Sequence, residues 1–175
     1  MDIYKATFEK GTENYIAALD KIGWFENPYI NASAMKNEIM ECTFLPYLAT
    51  KLIQTSYVIE FEGADQVAHI LDALQTVLKD LTYEITETAI LLKLHNHSAH
   101  IEIDFDEFDP GEGEDSFVAM VINPFLREAQ VTYQFYELPP DDEAAGLIFV
   151  TPEHYKKAIE IGLIPDFMGY FAVNY

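Results

Sequence analysis

The sequence predicts an α+β fold: a mostly antiparallel sheet with helices packed on one face, and a helical N-terminal region. Three observations predict it. Apolar residues recur at helical spacing in 12–22, 35–42 and 67–81. Short alternating or apolar runs, bounded by Gly, Pro, Asn and Asp, fill much of the rest. The order is helices, then a strand, a helix and several strands, then a strand, a helix and a closing strand, which suits segregated layers better than a parallel βαβ sheet. We read 1–175 as a single domain, with 1–55 as a helical subregion and 56–175 as the α+β core. No internal repeat is visible.

The elements follow in chain order. GTENYIAALDKIGWF reads as a short helix, with Thr12 as cap, Tyr15, Ile16, Leu19 and Ile22 on one face, and Gly23 as the stop. A longer helix is expected from Asn31, with Met35, Ile39 and Cys42 in register. Pro46 must end or kink it, because proline lacks the donor and clashes with the preceding turn. SYVIEFEG alternates as a strand. ADQVAHILDALQTVLKDL is a helix capped by Asp65, with Val67, Ile70, Leu71, Leu74, Val77, Leu78 and Leu81 on the apolar stripe. TYEITE and AILLKLH are strand-like, either a hairpin or one bent strand. AHIEIDFDEF alternates strictly, with Ile101, Ile103 and Phe105 opposite Glu102, Asp104 and Asp106. DPGEGED is a loop. SFVAMVINP and VTYQFYELP are further expected strands, and PPDDEAAG is a linker or short acidic helix. GLIFV is a strand, TPEHYKKAIEIG a helix with Thr151 as cap and Pro152 in the first turn, and GYFAVNY a closing strand.

Composition narrows the function. Half of the 175 residues are apolar or aromatic, enough for a core without disulfides or structural metal. Cys42 is the one cysteine and is expected as a small core residue. No run of about 18 apolar residues occurs, so no membrane span is expected. The N-terminal MDIYKATFEKGTE lacks a basic start followed by an apolar run, so no secretory signal is expected and the default location is cytoplasmic.

Thirty acids face ten bases, for a net charge of −20. Such a surface is not expected to bind nucleic acid or an anionic membrane, which need Lys and Arg against phosphate. It attracts cations and basic proteins instead. The charge is also uneven: residues 94–155 hold 14 acids and one base, Arg127. The stretch HIEIDFDEFDPGEGEDSF alone has eight carboxylates and neither Lys nor Arg.

Those acids suggest a cation site or a docking surface. An EF-hand does not fit. Counted from Asp104, the fifth position is Phe108 and the sixth, which must be Gly, is Asp109. Asp104-Phe105-Asp106 is similar to the Asp-x-Asp of metal-dependent nucleotide-sugar transferases, but no Gly-rich phosphate loop accompanies it. As a solvent-facing strand, 102–106 is ordinary. The absence of bases to relieve its repulsion is not, and points to a basic partner.

The histidines offer the alternative. His95-x-His97, followed after four residues by Glu102, resembles part of the first cupin motif, which implies a metal held by two histidines and a glutamate. Gly111 falls two residues late, Ala89 holds the leading glycine position, and no second motif follows. The plainer reading is a hairpin with HNHSA as its connection. His95, His97, His100 and Glu102 therefore stand as the candidate set for a metal-dependent enzyme or cation-binding domain. Histidines beside acids also suit a pH response. No nucleophile elbow, dinucleotide fingerprint or Cys-x-x-Cys is present, so no cofactor and no catalytic residues are expected.

The preferred expectation is an acidic binding or inhibitor protein. Its partner-binding residues are Glu102, Asp104, Asp106, Asp109, Glu112, Glu114 and Asp115, extended by Asp141, Asp142 and Glu143. The expected partner is a basic protein: a toxin, a nuclease or another nucleic-acid-binding enzyme. Immunity proteins against nuclease toxins and proteins that mimic DNA charge share this physical character. Tyrosines interleaved with acids, as in YQFYEL, suit a protein-binding surface. A structural subunit kept soluble by its acids is the third expectation.

Overall fold

The computed structural model describes residues 10–42, 45–56, 62–141, 144–167 and 169, with backbone alone at 56, 140, 141, 144 and 145. The described chain is α+β, with two three-stranded antiparallel sheets. Strands β1 (Ile53–Ser56), β6 (Ala144–Val150) and β5 (Gln134–Asp141) form the first, in the order β1-β6-β5. Strands β2 (Thr82–Ile85), β3 (Ala89–Leu94) and β4 (His97–Glu102) form the second, as a meander. The expected antiparallel class holds, with its strands divided between two sheets.

The first sheet is a middle layer. Ile53, Phe135, Leu147 and Phe149 face a core shared with helix α3 (Gly63–Gln75) and the second sheet. Tyr136, Leu138, Ile148 and Val150 face a separate core. There they meet Tyr15 and Leu19 of α1 (Thr12–Lys21), Met35 and Ile39 of α2 (Ala32–Glu41), and Trp24 and Tyr47. Burial on both faces explains why β6 is a continuous apolar run instead of an alternating one. The N-terminal helices are thus packed on the first sheet, not set apart from it. Packed sheets of this kind bury apolar area worth roughly 25 cal/mol per Å2.

The second sheet has one covered face. Val67, Ile70, Leu71 and Leu74 of α3 pack with Ile90, Leu92 and Leu94. The helix begins at Gly63, before the expected cap Asp65, which instead lies in the first turn where its charge suits the helix dipole. Leu78 and Leu81 remain buried although the helix has already ended. β2 and β3 pair as a hairpin, the first of the two expected alternatives.

Other boundaries were decided by caps and prolines. Asn31 accepts the Ala34 N–H and opens α2, which ends at Glu41, before Pro46. Pro46 then starts a short 3-10 turn, Pro46–Thr50. Cys42, expected in the core, follows the helix and is half-buried. Thr12 does not cap α1: its hydroxyl meets Met40 Sδ at 3.4 Å, and Gly11 occupies the capping position. Gly23, at φ 80°, follows the helix in the left-handed region as expected. Thr151 does cap α5 (Pro152–Glu160), accepting the His154 N–H at 3.2 Å.

One expected strand is helical. SFVAMVINP contains a π-helical turn, Val118–Ile122, running into α4 (Asn123–Glu128). Pro124 cannot donate to the preceding turn, and a wide turn upstream accommodates the loss. Val118, Ile122, Phe125 and Leu126 are buried, at helical spacing. All but Gly169 of the expected closing strand GYFAVNY, and part of SYVIEFEG, lie outside the described residues. Among the described residues no helix is long and apolar enough to cross a membrane.

Candidate functional site: an acidic edge and loop

Strand β4 pairs with β3 so that Glu102 stands opposite Ala89, His100 opposite Leu91 and Ser98 opposite Lys93. No cation lies across from Glu102. The ladder ends there, but alternation continues: Ile103 and Phe105 are half-buried, while Glu102, Asp104 and Asp106 are exposed. The Ile103 N–H still reaches the Thr88 carbonyl at 2.9 Å. Asp104 then turns the chain by accepting the Asp106 N–H at 3.0 Å. Phe105 comes to rest against Gly63 at the start of α3, where any Cβ would fall 2.8 Å from the Phe105 carbonyl oxygen.

The loop beyond it folds back on itself. Asp109 accepts the Gly111 N–H at 2.9 Å, and the Phe117 N–H reaches the Pro110 carbonyl at 2.7 Å. Gly111, at φ 62°, would place a Cβ 2.5 Å from the Asp115 carbonyl oxygen, so no other residue fits. Asp109, Glu112, Glu114 and Asp115 are all exposed. Glu114 and Asp115 border a surface hollow that also includes Met120, Arg127 and Tyr136.

Glu137 fastens this loop to the sheet. It is only 1% exposed, and its Oε2 accepts the Gly113 N–H at 3.0 Å. A cavity of about 20 Å3, bordered by Glu137, Thr55, Ser116 and Ile70, lies beside it. Glu137 lies outside the acid set expected to bind a partner. The signal was there in part: Gln134–Leu138 sits in a strand buried on both faces, so its one acid had to be buried as well. A buried carboxylate needs donors, and a glycine amide from the acidic loop is one.

The described ion pairs lie elsewhere. Lys36 meets Asp20 at 3.3 Å, Lys156 meets Glu160 at 3.7 Å and Lys157 meets Glu153 at 2.7 Å. His95 lies 3.7 Å from Asp80, and His97 lies 3.3 Å from Glu128. Arg127 hydrogen-bonds the side chain of Gln134. Among the described residues, then, none of the acids of 102–115 has a Lys, Arg or His partner. Asp142 and Glu143 lie outside the described residues, and Asp141 is placed by its backbone alone, at the end of β5. The segment expected as a linker or acidic helix is instead largely strand: 139–141 end β5 and 144–146 begin β6.

The histidine set does not converge. HNHSA is tighter than expected, a two-residue turn of His95 and Asn96, with His95 at φ 53°. His97 lies on the covered face of β4, its ring 5.3 Å from that of Phe125. His100 and Glu102 lie on the other face, because strand positions alternate. Among the described residues no group of three or more His, Cys, Asp or Glu side chains is placed to hold a metal ion. The candidate metal set is therefore split by the pleat of the strand.

The chain matches no protein-family model, no curated protein and no solved structure in the comparisons made.

Proposed function

We propose that this protein is an acidic binding or inhibitor protein that docks a basic protein through the carboxylates of 102–115. Asp141, Asp142 and Glu143 extend the same charge in sequence. One observation carries the reading: eight acids fall within 102–115, and none of them has a cationic partner among the described residues, whereas Asp20, Glu153 and Glu160 each meet a lysine. Unrelieved like charge costs stability, and a cationic surface offsets that cost on binding. A basic nucleic-acid-binding enzyme or a toxin nuclease has such a surface, and occlusion of its cleft would inhibit it. Opposite charge would also steer the encounter.

The test is capture from native lysate at low and high ionic strength, with wild type beside the variant E102Q/D104N/D106N. The expected result is a basic protein that is released by salt and lost with the variant. Retention at high salt, or equal capture by the variant, refutes the reading.

A further inference from the structure

The outer edge of β4, unpaired among the described residues, bears on how such a partner is held. β4 is the last strand of its sheet, paired on one side with β3. The bond from the Ile103 N–H to the Thr88 carbonyl sets the phase of that ladder. Counting back by twos, Ile101, Ala99 and His97 bond to β3, whereas Ser98, His100 and Glu102 direct their N–H and C=O groups away from it. Among the described residues nothing bonds to those outward groups. The corresponding edge of β5 differs: the buried side chain of Asn123 closes it at Phe135. An edge left open is a template for another strand.

The two rows of β4 select what can be added. Ser98, His100 and Glu102 are exposed on the outer face, and Asp104 and Asp106 continue the acidic row. On the inner face Ala99, Ile101 and Ile103 are half-buried against the main core. An antiparallel second copy of β4 centred on His100 would set Glu102 opposite Ser98 and offer the acidic row no cation. A strand alternating cationic and apolar residues would place its cations beside Glu102 and its apolar side chains beside Ala99 and Ile101.

We propose that β4 binds an extended segment of the partner, alternating Lys or Arg with apolar residues, as an additional antiparallel strand along Ser98–Glu102. This rests on the acidic docking reading and specifies its partner segment. In the added strand the cationic residues pair with Ser98, His100 and Glu102, so their own backbone N–H groups make the cross-strand bonds.

The experiment uses the full chain and capped heptapeptides of alternating valine and lysine. Binding is read by titration calorimetry and by amide hydrogen exchange in NMR. The valine–lysine peptide is expected to bind, with the amides of Ser98, His100 and Glu102 gaining protection. The same peptide N-methylated at its lysine nitrogens keeps the charge but loses the donors, and is expected to bind about tenfold more weakly or less. H100P removes an outward donor that β3 does not use, and is expected to weaken the unmodified peptide in the same way. Equal binding of the methylated peptide overturns strand addition and leaves the acidic reading standing. Absence of binding by either peptide, or protection that falls elsewhere, also overturns strand addition. A valine–glutamate peptide that binds as well as the valine–lysine one refutes the acidic reading itself.

Discussion

Asn123 donates to the Phe135 carbonyl at 2.7 Å and accepts the Phe135 N–H at 2.9 Å, so that one side-chain amide stands in for a neighbouring strand. Asn123 is fully buried in the first turn of α4. The helix thereby closes the edge of β5 that pairing with β6 leaves open. N123A strips both partners from Phe135 and leaves a buried donor and acceptor unmet. We expect a loss of about 2–4 kcal/mol, with N123D doing no better because its buried carboxylate would face the Phe135 carbonyl without a donor. Urea denaturation at constant m-value measures this, and a loss below about 0.5 kcal/mol contradicts the role.

Glu137 couples the acidic loop to the first sheet through Gly113. E137A is expected to destabilise the fold by about 1–3 kcal/mol, since it opens space in the core and orphans the Gly113 N–H. E137Q retains an acceptor and is expected to cost less. The Gly113 amide should exchange faster in E137A than in wild type, before global unfolding. Unchanged exchange at Gly113 speaks against this anchoring.

Neutralising the acidic row carries the opposite sign. E102Q/D104N removes repulsion from exposed positions without touching a described ion pair. Asp104 also turns the chain at Asp106, and Asn retains that oxygen acceptor. Stability is expected to stay within about 0.5 kcal/mol or to rise, most visibly at low salt. A marked fall in melting temperature would show that these carboxylates hold the fold together.

Tyr83 donates to Asp72 at 2.7 Å, across from β2 to α3. Burial, and then this hydrogen bond, push its phenol up to about 12 from the ordinary 10.0. The folded state thus holds the proton more tightly than the unfolded chain does. The contribution is complete below pH 10 and is lost as pH rises through about 12. Carbon-13 labelled tyrosine NMR should show the Tyr83 ring titrating late, and its signal is assigned by Y83F. Titration near 10 would refute the linkage.

The cap of α5 is a simpler test. Thr151 accepts the His154 N–H, and T151A is expected to cost about 1 kcal/mol by denaturation, with T151S nearly neutral.

What the sequence determined by itself was whatever depends on nearby residues. The stripe of α3, the Thr151 cap and the alternation through Phe105 were legible because spacing and local hydrogen bonds suffice for them. The concentration of acids in 102–115 needs only counting. Tertiary structure decided the rest. Phe117–Asn123 is rich in β-branched and aromatic residues, yet burial of Val118, Ile122 and Phe125 on one side made it helical. The pleat of β4 divided His97 from His100 and Glu102, a separation that is visible once the strand is known and its phase is set. The bond of Glu137 to Gly113 and the closing of β5 by Asn123 join residues distant in sequence, and no local pattern names either partner. Charge is additive along a chain, whereas burial and strand pairing belong to the arrangement of the whole.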